Sequence, residues 1–233
     1  IIGNPPYTKI PAINRKDKSL GVFLKTGFFE SATGSFDLSA LFIEKGFKLL
    51  NKSGRLGFIA TNTFFSSNFG LGLRKFLTNH KCIESIINFE DQQVFDGAST
   101  YTTILCLNKK KNVQFNYASI KKIDKSEKQL SKLFIEDYED STIKCGVLNE
   151  EKLDDTRWLF IFKNEEQIIS KLKSIPHTLN SISEKIAVGL QTSADSIYVL
   201  DKIEENNLFT KVFSKELNLE ITLESEILKK FVK

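Results

Sequence analysis

Four consecutive residues near the start of the chain, Asn4-Pro5-Pro6-Tyr7, carry its clearest chemistry. Asn4 offers an amide oxygen, and Pro5 offers a backbone carbonyl on a segment whose φ the ring fixes. Together they are two acceptors able to grip both hydrogens of an –NH2 group. Tyr7 adds a flat face on which a planar ring can stack. Residue types and spacing thus describe a site for a planar amine. Taken alone, the same four residues also fit a stiffened loop with a surface tyrosine. Their position after Ile1 and Ile2, read as the end of a buried strand, favours function, because ligands of open α/β sheets sit at carboxyl strand ends.

The elements that must hold this site follow in order. Residues 8–36 mix Gly, Ser, Thr and Lys with Phe23, Phe28, Phe29 and Phe36, and read as a long loop with one short helix, a lid beside the site. Asp37 caps a predicted helix running to Leu50, with Leu38, Leu41, Phe42 and Leu49 in a stripe that Ile43, Phe47 and Leu50 widen. After a turn at 51–54, residues 55–61 read as a buried strand. A second helix carries Phe69, Leu73, Phe76 and Leu77 at helical spacing. Gly70 and Gly72 at its start lack the spacing of a nucleotide-binding fingerprint and are read as structural. Strands at 83–89 and 100–107, joined by a loop with Gln92, Gln93, Val94, Phe95, Asp96 and Gly97, predict an antiparallel hairpin at the sheet edge. Val113, Phe115 and Tyr117 alternate as in another strand, and residues 121–132 read as a solvated helix or loop.

Composition changes at 150–157, which reads as a linker dividing the chain into 1–157 and 158–233. Beyond it come an apolar run at 158–162, a helix carrying Ile168, Ile169 and Leu172, short strands at 186–193 and 197–200, and an amphipathic helix at 224–233. The length of 233 residues suits one large domain or one domain with a smaller second. With 41% hydrophobic and 27% charged residues the composition is that of a soluble globular protein. A net charge of +4 permits a polyanionic partner without requiring one. No apolar run approaches membrane-spanning length, which with the cysteine usage predicts a cytoplasmic protein. Cys82, Cys106 and Cys145 read as reduced structural cysteines, and His80 and His177 are too distant for a metal cluster, so no metal is expected. The chain has no methionine and opens inside a strand, so it is read as a piece of a longer protein.

In this order the segments resemble the gamma-class N6-adenine DNA methyltransferases of restriction–modification and related phage-defence systems. Asn4-Pro5-Pro6-Tyr7 is similar to that family's catalytic motif, residues 37–45 to the helix after it, and residues 53–65 to the next strand and its loop. Val94-Phe95-Asp96-Gly97 with the strand at 100–107 resembles the hairpin near its base pocket, and residues 182–200 resemble the entry to a target-recognition domain of type IIG enzymes. The resemblance implies an α/β fold: part of a Rossmann-like methyltransferase sheet with an antiparallel hairpin edge, then a smaller α+β domain. Residues 1–157 would be the C-terminal half of the catalytic domain and 158–233 the start of the target-recognition domain. It implies S-adenosylmethionine as donor, double-stranded DNA as substrate, and a nuclease domain or subunit of the same system as partner. Asn4, Pro5, Pro6 and Tyr7 would be catalytic, Tyr7 and Phe95 would stack on a flipped adenine, and Gln191 and Thr192 would contact DNA. The family's Gly-rich donor loop and acidic ribose-binding residue lie upstream of this motif and have no counterpart here. The donor site is therefore expected to be incomplete in this chain, and the isolated chain inactive.

Other chemistries fit less well. Cytosine C5 transfer needs a cysteine nucleophile, usually after proline, whereas the cysteines here follow Lys81, Leu105 and Lys144. Transfer to cytosine N4 commonly has serine where Asn4 stands. A protein glutamine amide is also a planar –NH2, but it leaves the second domain unexplained. A non-catalytic DNA-binding or specificity piece of a larger enzyme is the alternative from another class.

Overall fold

Strand β1 (Ile2–Gly3) lies parallel to β2 (Arg55–Thr61), with Ile2 opposite Gly57 and Gly3 opposite Phe58. It is a sheet edge, and Ile1 and Ile2 are 51% and 94% exposed instead of buried as their apolar character suggested. The computed structural model describes residues 1–95, 100–124, 127–133, 135–186 and 194–230. Their contacts form two units, Ile1–Lys173 and Ser174–Lys233.

In the first unit, β3 (Ile83–Asn88), β4 (Thr102–Asn108), β5 (Gln114–Ile120), β6 (Tyr138–Glu139) and β7 (Ile143–Asn149) complete a seven-stranded mixed sheet in the order β1-β2-β4-β3-β5-β7-β6. The expected antiparallel pair is β3 and β4. It lies inside the sheet, because β4 pairs with both β2 and β3 while β5 adds in parallel beyond β3. One face is covered by α3 (Leu38–Leu49) and α4 (Leu71–His80), whose Ile43, Phe47, Leu73, Phe76 and Leu77 pack on Leu56, Phe58, Leu105 and Leu107. Each such side chain stabilises the fold by about 1.5–3 kcal/mol through burial. Asp37 caps α3 by accepting from the Ala40 amide at 3.3 Å. Phe42 and Leu49, assigned to the apolar stripe from spacing, are exposed. Ile87, Ala118, Ile120, Leu133, Ile143 and Cys145 form a smaller cluster, beside which lies the short helix α5 (Glu127–Lys132).

Residues 8–36 hold two helices, α1 (Ile10–Lys16) and α2 (Lys18–Lys25), in place of a loop with one. Gly72 meets the Ser31 backbone so closely that a Cβ would lie 2.2 Å from its carbonyl oxygen, and Gly70 stands likewise 2.1 Å from Phe64 O. Both glycines are needed for close approach, consistent with a structural reading.

The composition-based division at 157/158 falls within the first unit. Trp158, Phe160 and Phe162 pack with Phe65 and Tyr117, and the Trp158 amide donates to Phe65 O at 2.8 Å. The buried Arg74 guanidinium stitches this strap to the loop after β2, donating to Phe64 O at 2.6 Å, Ser67 O at 2.8 Å and Asp155 O at 3.1 Å. Helix α6 (Glu166–Lys173) closes the unit.

The second unit contains α7 (Leu179–Ile182), α8 (Asp195–Tyr198) and a three-stranded antiparallel sheet of β8 (Asp201–Glu205), β9 (Phe209–Ser214) and β10 (Leu219–Glu224). Ile197 lies in a helical turn, not the strand expected at 197–200, and residues 225–227 form one 3₁₀ turn where a helix was expected. Short apolar runs do not separate the two states by pattern alone. Gln191 and Thr192 lie outside the described residues.

Candidate active site

Parallel pairing with β2 brings the chain leaving β1 beside Ile59, and the proline pair then turns it. Across this turn the Tyr7 hydroxyl donates to Asn4 Oδ1 at 2.6 Å and lies 3.2 Å from Ile59 O. The tyrosine thus ties the Asn4 carboxamide back to the sheet. Burial first, and the Asp37 carboxylate second, raise the Tyr7 phenol above its ordinary value, so the hydroxyl keeps its donor proton. Asn4 is exposed and Pro5 is buried. Among the described residues the Pro5 carbonyl accepts no hydrogen bond. One lone pair of Asn4 Oδ1 is taken by Tyr7, which leaves one there and the Pro5 oxygen as two neighbouring acceptors for a donor group.

A polar chain lines the same edge of the sheet, because β2 and β3 both run toward it and β4 starts from it. Asn62 Nδ2 donates to Asn88 Oδ1 at 3.0 Å and to Glu90 O at 2.9 Å. Asn88 Nδ2 donates to the Tyr117 hydroxyl at 3.3 Å, and Ser119 Oγ donates to Glu90 Oε1 at 2.8 Å. Glu90 is held at φ 48°, a left-handed conformation that costs a non-glycine residue energy and that this network sustains. The Asn62 amide donates to Tyr101 O at 3.0 Å, so both ends of the loop between β3 and β4 are fastened near the end of β2.

That loop carries Phe95, 36% exposed, and ends at Tyr101, 46% exposed. Among the described residues no ring contact joins Phe95 to Tyr7, so the two expected stacking partners are on one sheet edge but not against each other. Pro6 is exposed and shapes the turn. Sequence reasoning did not single out Asn62, Asn88, Glu90 or Tyr101; the signal available was polar residues directly after apolar strands. Among the described residues no group of three His, Cys, Asp or Glu side chains could hold a metal ion, and no helix is long and apolar enough to cross a membrane.

Residues 1–95 match the Eco57I restriction-modification methylase family. The chain is 30% identical over 230 residues to the type II restriction enzyme and methyltransferase RM.Eco57I of Escherichia coli, covering 97% of this chain and 22% of that protein. It is 26% identical over 215 residues to the type II methyltransferase M.BstVI of Geobacillus stearothermophilus, covering 86% of this chain and 37% of that one. The chain therefore spans well under half the length of these relatives. The type IIG restriction endonuclease BpuSI shares the fold, with a TM-score of 0.51 and 17% identity over 85% of this chain and 26% of its own. Residues 1–95, which contain the strand-end Asn4-Pro5-Pro6-Tyr7 that carried the sequence resemblance, are thus the part of the chain similar to the Eco57I restriction-modification methylase family.

Proposed function

We propose that the protein containing this chain methylates adenine N6 in double-stranded DNA, with S-adenosylmethionine as donor, within a restriction–modification or related defence system. The observation that carries this reading is the Asn4 carboxamide, pinned by Tyr7 beside a Pro5 carbonyl that accepts no hydrogen bond from the described residues. The lone pair of adenine N6 is delocalised into the ring, which makes the amine a poor nucleophile. Accepting both of its hydrogens draws the nitrogen toward a tetrahedral form and aims the lone pair out of the ring plane. Positioning and electrostatics then lower the barrier, with no covalent nucleophile on the protein. S-adenosylmethionine supplies an electrophilic methyl group when bound. In the Asn4–Tyr7 segment the exposed Asn4 amide oxygen and the Pro5 carbonyl are acceptors, which suits the amine and not the hydroxyl-rich ribose of the donor alone.

The target base must leave the duplex stack, at a cost of about a few kcal/mol. The Tyr7 ring is half-exposed with its hydroxyl tied down, which suits a stacking face, and Phe95 on the neighbouring loop is the second aromatic. In this reading the first unit is catalytic, and the second begins the target-recognition domain, with Gln191 and Thr192 among its DNA-reading residues. A nuclease domain or subunit is the further partner, in keeping with a relative named as both restriction enzyme and methyltransferase. The test is Asn4→Ala in the full-length protein. Loss of one amine acceptor lowers the transfer rate by about 10²–10³, by analogy with removal of one oxyanion-hole donor, with DNA affinity nearly unchanged. Adenine methylation persisting near the wild-type rate refutes the assignment.

A further inference from the structure

We propose that α1 and α2 form an arm that grips the phosphates of duplex DNA beside Asn4, with the Phe23–Phe28 pair as its apolar tip. The inference rests on the function proposed above and adds a surface to it. Residues 9–29 contain Lys9, Arg15, Lys16, Lys18 and Lys25 against Asp17 alone, five cations to one acid. The resulting +4 equals the net charge of the whole chain, so the other residues sum to zero. Lys9 lies over the Phe69 ring at 4.8 Å. Arg15, Lys16, Lys18 and Lys25 are exposed, and among the described residues none of the four is ion-paired. The Asp17 carboxylate is occupied locally, accepting from Ser19 Oγ at 2.7 Å and the Leu20 amide at 2.9 Å.

The arm is anchored at the site. It leaves directly after Tyr7 and returns at Asp37, and its neck is closed by Ile10 N donating to Phe36 O and Leu38 N donating to Thr8 O, both at 2.9 Å. Its inner side packs Ile10, Ile13, Leu24 and Phe29 against Phe36 and Leu41. Its outer side leaves Phe23 and Phe28 54% and 65% exposed, with ring centroids 5.3 Å apart. An apolar partner would have to bury uncompensated cations, whereas a polyanion with stacked bases meets both features. A duplex that delivers a base to Asn4 brings its phosphates to the element that starts three residues past Tyr7.

Each phosphate neutralised contributes about 0.9 to the slope of log affinity against log salt, so four contacts contribute about 3.6. The experiment titrates the full-length protein with a target duplex and a non-target duplex between about 50 and 200 mM salt. The variant R15Q/K16Q/K18Q/K25Q is compared with wild type after circular dichroism shows both folded. Expected is a slope lower by about 3–4 for both duplexes alike, so that about a hundredfold of the wild type's salt-dependent loss disappears. F23S/F28S weakens binding without changing the slope. An unchanged slope overturns the arm, as does binding to phosphatidylserine vesicles lost in the charge variant while DNA binding is retained. A wild type that binds DNA with the expected slope but transfers no methyl group overturns the proposed function and supports the arm. One that methylates DNA with a slope unmoved by the four substitutions overturns the arm alone.

Discussion

Tyr7→Phe isolates the hydroxyl that holds Asn4 from the ring proposed to stack on the base. The variant keeps the aromatic face and loses the donor at 2.6 Å from Asn4 Oδ1 and 3.2 Å from Ile59 O. A hydroxyl carries one proton, so these two contacts share a single donor and count as one hydrogen bond. Such a bond is worth about 0.5–1.5 kcal/mol net, and Tyr7 is only half-buried, which places the loss near the middle of that range. At about 1 kcal/mol the freed carboxamide slows transfer about fivefold, since 1.36 kcal/mol is tenfold in rate. An opposing effect exists: the lone pair released on Asn4 Oδ1 becomes a better acceptor. Orientation outweighs it, because an acceptor that rotates away contributes nothing at the reacting nitrogen. The assay is single-turnover methyl transfer at saturating duplex in the full-length protein, with affinity measured separately. KM for DNA stays within twofold, because the stacking face remains. The raised phenol keeps its proton through neutral and mildly alkaline pH, so the ratio of wild-type to variant rates stays level there. A variant as fast as wild type shows that the Asn4–Tyr7 contact does not position the amide.

Phe95→Ala removes the proposed second stacking surface, worth about 1–3 kcal/mol per base; transfer slows by about 5- to 160-fold while the methylated sites, read by long-read mapping in cells, stay the same. Glu44 is buried, and although burial opposes its charge, Lys48, Ser31 and the Glu30 amide outweigh it and hold the carboxyl below its ordinary value. Its contribution is present above the unfolded carboxyl's pKa and lost as pH falls through the lower folded value. Glu44→Ala therefore costs about 1.5–3 kcal/mol at pH 7 and much less in acid, which urea unfolding at two pH values checks. Glu150 is the reverse case: burial, only partly offset by the Ile83 amide and Lys81, pushes its carboxyl up from 4.5 to about 7. The fold binds a proton there that the unfolded chain has released, so stability falls as pH rises from about 4.5 to 7 and stays reduced above. Glu150→Gln accordingly raises Tm at pH 8 and changes it little at pH 5, and equal shifts at both would refute the burial argument.

Local chemistry was legible in the residues. Asp37 announces α3 because an N-cap acts within one turn, and the apolar runs of β2, β3 and β4 are long enough to name their state. The placement of β4 between β2 and β3 was not legible, since strand order depends on pairings between residues far apart in sequence. The boundary at 157/158 misled because charged residues at 150–157 mark a surface, while the Trp158, Phe160 and Phe162 that follow are core of the same unit. At the site, Asn4 and the Pro5 carbonyl were readable as a pair of acceptors at a strand end. The tyrosine's second task was not, because a turn made by two prolines decides whether residues three apart touch. Asn62, Asn88 and Glu90 gather only after the strands that end in them have aligned.

The place of β4 also sets the order in which this unit can be made. A ribosome releases β2 and β3 before the strand that must lie between them, so neither can take its final neighbour on that side until Asn108 has emerged. During that interval the nascent chain carries two unsatisfied apolar edges, Leu56 to Ala60 and Ile83 to Ile87, of the kind that pair with other chains. Insertion of a strand into a gap joins segments more than forty residues apart on the β2 side, as in Thr61 opposite Thr102, and long-range pairings of this sort fold slowly. The Asn4 turn depends on β2 through Ile59, so its acceptors reach their final geometry only after this late strand arrives. A chain stopped before Thr102 holds Asn4-Pro5-Pro6-Tyr7 in full and still lacks the sheet that sets these residues in place.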